Sequence, residues 1–295
     1  MKYRISHRTE YFYGETVPLC HDVIHLRPRD SAQQSCLRHE LNTDPRPAVQ
    51  RDRVDFFGNR VTWVAVQTPH RRLKINASSE VDVRPLVVPD DLNGPAWDSV
   101  PGYFAASHRP EMLEPRQYIF ESPHVQLAAE LADYARPDFA AGAPLVPCLK
   151  AFNQRIFKEF AFDSTATNIS TPVLEVLRQR RGVCQDFAHL AIACLRSLGL
   201  AARYVSGYLV TKPPPGKPRL VGVDASHAWV GVFVPDFGWI DLDPTNGMIP
   251  DGGHITLGWA RDYDDLSPVR GVMVGGDRHS LSYAVDVEPI ASVAS

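Results

Sequence analysis

Residues 182–190 read Gly182-Val183-Cys184-Gln185-Asp186-Phe187-Ala188-His189-Leu190, and this stretch lies where a loop becomes a helix. Before it, Arg180, Arg181 and Gly182 interrupt the apolar pattern. After it, Phe187, Leu190, Ala191, Cys194, Leu195 and Leu198 recur at helical spacing until Leu198-Gly199 closes the run. Cys184 therefore falls within one turn of a helix N-terminus, where free backbone N–H groups and the helix dipole stabilise an anion. A thiol so placed gives up its proton more readily, and the thiolate is the nucleophile. Arg180 and Arg181 are expected to add positive charge. Taken alone, a cysteine beside an apolar helix is more often an inert buried thiol.

Two segments downstream change that balance. His227 lies in Ala225-Ser226-His227-Ala228-Trp229-Val230 and Asp243 in Gly238-Trp239-Ile240-Asp241-Leu242-Asp243-Pro244-Thr245-Asn246, and both read as strands. A thiol, an imidazole and a carboxylate are the attacker, the base and the orienting group of an activated cysteine. Strand parity puts Asp241 and Asp243 on one face, so either carboxylate could meet His227. Asp243 also precedes Pro244, which holds it extended and ends the strand. His189 is about 140° around the helix from Cys184 and is read as a supporting or packing residue.

The chain has 295 residues, enough for two domains, and 31 Lys+Arg against 34 Asp+Glu leave a net charge of -3. No basic stripe argues for nucleic acid, and no apolar run reaches the length of a membrane span. The N-terminus lacks the apolar core of a signal peptide. Five cysteines (Cys20, Cys36, Cys148, Cys184 and Cys194) are odd in number and widely spaced. This argues against a disulfide framework or structural zinc and favours a reducing cytoplasm. No metal or cofactor is expected.

Residues 1–85 alternate at period two, as in Tyr3, Ile5, Tyr11 and Tyr13 and again from Leu73 to Val83. Gly58-Asn59 is read as a tight hairpin between strands at 54–57 and 61–66. This predicts a small β-sandwich in which no chemical constellation is visible. Its histidines, His7, His21, His25, His39 and His70, read as surface or hydrogen-bonded residues. Seven prolines between Pro85 and Pro123 mark a connecting belt, part of which could border a substrate cleft.

Helical faces follow, at Val125 to Tyr134, at Leu149 to Phe160 and after Ser170-Thr171-Pro172, where a hydroxyl cap precedes proline at the first helical position. Strands are expected at 202–210, 225–234 and 238–243, with a projecting loop at 212–218. A strand at 280–287 is expected to close the same sheet, before a free tail at 288–295. The resulting division is a β-rich domain at 1–85, a belt at 86–122 and a catalytic domain at 123–295.

Four segments then stand in one order: R-G-V-C-Q-D-F-A-H-L (181–190), A-R-Y-V-S-G-Y-L (202–209), S-H-A-W-V (226–230) and G-W-I-D-L-D-P-T-N-G (238–247). Together they resemble the core of the bacterial transglutaminase-like superfamily, commonly described as candidate cysteine proteases. D-x-F-G-N at 55–59 resembles the β-rich domain that precedes this core in one bacterial branch. The resemblance implies an α+β, papain-like fold with the cysteine helix packed on an antiparallel sheet. It selects Asp243, the Asp of D-P-T, over Asp241. The G-S-C-W signature of papain itself is absent.

The implied activity is hydrolysis of peptide or isopeptide amides through a thioester on Cys184. His227 serves as base and Asp243 as its partner, and the Cys184 backbone N–H is the natural first oxyanion donor. Trp229 and Trp239 could wall the acyl site, but core packing is the favoured reading for each. Two other readings stay open. One is acyl transfer from a glutaminyl group to an amine. The other is a catalytically silent binding module. The partner implied is a peptide or protein amide, and the oligomeric state is open.

Overall fold

The computed structural model describes residues 1–106, 109, 112–211 and 225–290. The first six strands are β1 (Lys2–Val17), β2 (Leu19–Ile24), β3 (Gln34–Asp44), β4 (Val49–Val54), β5 (Arg60–Val66) and β6 (His70–Val83). Short helices α1 (Val100–Ala106) and α2 (Leu113–Arg116) lie in the proline-rich belt. Then come α3 (Ala129–Ala135), α4 (Leu145–Glu159), β7 (Ala161–Phe162), α5 (Val173–Gln179), β8 (Arg181–Gly182) and α6 (Cys184–Ser197). The chain continues through β9 (Ala202–Leu209), β10 (Ala225–Val234), β11 (Gly238–Leu242), β12 (His254–Ala260), α7 (Tyr263–Leu266), β13 (Val269–Val274) and β14 (His279–Pro289).

Period-two patterning builds the β-rich region as expected: on β1, Tyr3, Ile5, His7 and Thr9 are buried while Lys2, Arg4, Ser6 and Arg8 are exposed. Its two antiparallel sheets have the orders β14-β1-β6-β3 and β13-β2-β5-β4. Ile5, Val17, Ile24, Val64 and Ile75 fill the space between them, joined by Val285 and Val287. Here the expectation for 280–287 is corrected: this strand pairs with β1, from Tyr3 opposite Pro289 to Tyr13 opposite His279. Alternation identifies a strand but says nothing of its partner, and this partner lies at the other end of the chain. Residues 288–290 are likewise part of this pairing, with the Ile290 N–H donating to the Lys2 carbonyl at 2.8 Å. The rest of the expected tail, 291–295, and the loop at 212–218 lie outside the described residues.

The sheet beside the cysteine helix has the order β11-β10-β9-β12, so β12 is its fourth strand. On β10, Ala228, Val230, Val232 and Val234 face the helical core. Helix α6 packs on β10 and β9 and is flanked by α3 and α5. Tyr208, Ile255 and Leu257 join the sandwich core instead, so the sheet beside the cysteine helix is covered on both sides.

Several boundaries move. The β4–β5 hairpin forms, but β4 ends at Val54, and Phe56 is 84% exposed in the turn. Asp55 closes that turn by accepting the Asn59 N–H at 2.7 Å and the Asn59 side-chain amide at 2.8 Å. The same amide donates to the Trp259 carbonyl at 3.0 Å, docking the turn on β12. Helix α3 starts after Val125 and Leu127, because Ser122 and Val125 exchange backbone hydrogen bonds in a tight turn. Helix α4 begins earlier than expected, at Leu145. Pro172 is the N-cap of α5 and no side chain caps it; the Thr171 hydroxyl accepts the Asn168 N–H at 3.0 Å instead.

Candidate active site

Cys184 is the first residue of α6, and its position is set by residues on either side. The Asp186 carboxylate turns back to accept the Val183 N–H at 2.8 Å and the Thr167 hydroxyl at 2.6 Å, which satisfies a backbone donor that the helix leaves free. Gly182 makes room for it: a Cβ there would lie 2.6 Å from Asp186 Oδ2. Arg180 and Arg181 do not turn toward the thiol. They pair with Glu159 at 2.6 Å and with Asp163 at 3.5 Å. The partly exposed thiol opens into a cavity of about 290 Å³ that it shares with Gln185 and His227.

His227, near the start of β10, donates from Nε2 to Asp243 Oδ2 at 2.8 Å, with both side chains buried. Asp243 follows β11 and is 0% exposed. Its Oδ1 accepts the backbone N–H groups of Thr245 at 2.9 Å and Asn246 at 3.1 Å. Its Oδ2 also accepts the Asn246 side-chain amide at 2.7 Å and His254 Nε2 at 3.0 Å. Asp241 takes a different partner, the Trp229 indole N–H at 2.9 Å. Burial alone would depress the His227 pKa, but the hydrogen bond to Asp243 and the interactions with the Asp243 and Cys184 charges outweigh it and raise the ring to about 10. Burial likewise works against the Asp243 charge. The bonds from His227, His254 and Asn246 overcome it and hold the carboxyl well below the usual carboxylate range.

A pH dependence of stability follows. Because the His227 pKa is raised on folding, its stabilisation is complete below its ordinary value of 6.5 and is lost as pH climbs through about 10. The Asp243 pKa is lowered, so its contribution is lost only in strong acid. The melting-temperature gap between the parent and His227→Gln is therefore expected to narrow steadily from about pH 7 to about pH 10.5. A gap that stays constant across that range contradicts the raised pKa.

Comparison with known proteins gives the family. Residues 3–82 match the bacterial transglutaminase-like N-terminal region, and residues 139–244 match the transglutaminase-like superfamily. An uncharacterized Mycobacterium tuberculosis protein is 42% identical over 277 residues, spanning 90% of this chain and 85% of that one. The chain belongs to the transglutaminase-like superfamily. A Pseudomonas aeruginosa protein-glutamine gamma-glutamyltransferase is 32% identical over 126 residues, covering 42% of this chain and 19% of that protein. The crystal structure of a candidate cysteine protease from Cytophaga hutchinsonii shares the fold, with a TM-score of 0.73 at 21% identity over 100% of this chain and 92% of that one.

The transglutaminase-like site contains residues that sequence reasoning passed over. Asn246 and His254 both bond Asp243, and neither had been singled out. The clue for His254 was a histidine heading a short alternating run after Gly252-Gly253. Trp229 is buried and Trp239 packs against the helical core, in line with the favoured packing reading; both border a separate cavity of about 710 Å³ with Arg29, Arg203 and Trp259 and do not wall the thiol's. The thiol cavity is walled instead by Tyr204, Tyr263 and residues of β1 and β14. His7 on β1 is one of them, buried and bonded to the Tyr208 hydroxyl at 2.8 Å. His189 is buried, accepts the Tyr263 N–H at 3.2 Å and stacks on His124. His227, Asp243 and His254 offer ligand atoms within 4.8 Å of one another, a donor set able to hold a divalent cation. In the structure those atoms are engaged in hydrogen bonds to one another.

Proposed function

We propose that the protein is a cysteine hydrolase that cleaves peptide or isopeptide amides, with Cys184, His227 and Asp243 as its triad. The observation that supports this best is one imidazole set between a carboxylate and a thiol. His227 Nε2 donates to the buried Asp243 carboxylate, and the ring lines the same open cavity as the Cys184 thiol, whose charge acts on it. A ring whose pKa is raised in this way is suited to hold the thiol's proton as imidazolium beside a thiolate. The thiolate attacks the amide carbonyl. The Cys184 backbone N–H, at the first helical position, steadies the oxyanion. His227 then passes its proton to the leaving amine, and a thioester remains on Cys184. Water, activated by the now neutral ring, releases the acid and restores the thiol. The five unpaired thiols favour a reducing compartment such as the cytoplasm. Among the described residues no helix is long and apolar enough to cross a membrane.

Acyl transfer to an amine is the second reading, favoured by the similarity to the glutamyltransferase from Pseudomonas aeruginosa. It uses the same residues and differs only in what resolves the thioester. A peptide-library screen with and without an added primary amine, read by mass, separates the two. Hydrolysis is expected to give acid products whose yield the amine leaves unchanged. Products carrying the mass of the amine support transfer. A library left intact under both conditions, with the thiol reduced, supports the silent binding module.

A further inference from the structure

Strand β14 carries large apolar side chains on an inward-facing position and leaves them uncovered. Its residues 281, 283, 285 and 287 lie opposite Tyr11, Thr9, His7 and Ile5 of β1, so they share one face of the sheet. That face is the core side, and Val285 and Val287 are 0% exposed on it. Leu281 and Tyr283 follow the same parity but are 53% and 62% exposed. The sandwich parts at this end, and both residues line the cavity that holds Cys184 and His227, with Tyr11 and Val269 beside them. A second hollow of about 210 Å³ shares Tyr11 and Val269 and carries the groove farther along the sheet. Among the described residues, the wall of the thiol cavity contains no Lys, Arg, Asp or Glu. A space of about 290 Å³ suits one side chain and its flanking amide, at the small end of ligand pockets.

We propose that this cavity is the acyl-side subsite for a peptide substrate, with Tyr283, Leu281 and Tyr11 receiving an aromatic or branched apolar side chain next to the scissile carbonyl. The proposal rests on the reading of Cys184 as the nucleophile. It makes the β-rich region, with the last strand of the chain, one wall of the substrate cleft. A charged side chain in the same place would lose hydration with no Lys, Arg, Asp or Glu among the described wall residues to pair with, and the His227 ring is already paired with Asp243. An apolar one covers Leu281 and Tyr283 and removes their surface from water.

Two irreversible probes test this: peptidyl fluoromethyl ketones carrying either Phe or Glu next to the ketone. In both, the Cys184 thiolate attacks the methylene carbon, a C–S bond forms as the C–F bond breaks, and fluoride leaves. The Phe probe is expected to show a KI at least about 10-fold below that of the Glu probe. Tyr283→Ala and Leu281→Ala are each expected to raise the KI of the Phe probe by about 3- to 10-fold. Phe12→Ala, on the opposite face of the same sheet, is expected to leave it unchanged. Iodoacetamide labelling checks the thiol independently in every variant. Equal KI values for the two probes, or values that neither wall variant moves while iodoacetamide still labels Cys184, overturn the subsite and leave the nucleophile standing. If neither reagent labels Cys184, the nucleophile reading and the subsite fall together.

Discussion

Asp243→Asn is expected to lower the rate on any amide that the parent cleaves by about 10²–10⁴, with the fold retained. The side chain keeps its shape but loses its charge where five donors converge: two backbone N–H groups on Oδ1, and His227, His254 and the Asn246 amide on Oδ2. An amide placed there must turn its own N–H₂ toward one of those groups of donors. If it faces His227, the ring has to rotate or take the tautomer that puts the proton on the wrong nitrogen. Asp241→Asn is expected to cost at most about tenfold, because Asp241 bonds Trp229 and acts on the site only through its field. Both variants need a melting curve so that unfolding is not counted as lost chemistry. Activity of Asp243→Asn equal to the parent removes Asp243 from the mechanism. Loss in Asp241→Asn alone transfers the role to Asp241.

What the sequence revealed depended on how local the signal was. The start of α6 could be read because the apolar period resumes just after Gly182 and a nucleophilic residue sits on that boundary. Strands β9, β10 and β11 could be read because each is a short run rich in β-branched and aromatic residues; β9 and β10 are buried on both faces, and only β11 alternates. The choice between Asp241 and Asp243 could not be made from parity, which is the same for both. It takes a turn at Pro244 to Gly247 to bring Asp243 back under His227, while Asp241 stays beside Trp229. His254 stayed hidden because β12 reaches Asp243 only by pairing with β9, across the sheet. The walls of the cleft were harder still. Leu281 and Tyr283 look like ordinary inward residues of a strand. Only the three-dimensional pairing of β14 with β1, from opposite ends of the chain, sets them over the thiol.

The central claim is that Cys184 is held as the reactive thiol of the chain, and partial alkylation followed by peptide mass spectrometry tests it most directly. The other four cysteines supply the internal standard. Burial pushes the Cys20 thiol up to about 12 and raises Cys36, Cys148 and Cys194 as well, and Cys20, Cys148 and Cys194 are also closed to reagent. Only Cys184 combines an open cavity with an imidazole that lines the same cavity and is itself anchored on a buried carboxylate. Reaction with iodoacetamide requires the thiolate, and at about pH 6 an ordinary thiol is less than about 1% ionised. At that pH Cys184 is expected to alkylate at least about 10²-fold faster than Cys36, the other partly exposed cysteine. His227→Gln is expected to abolish most of that advantage. If Cys184 instead reacts last of the five, or only after the protein is denatured, it is a structural thiol and the mechanism is wrong.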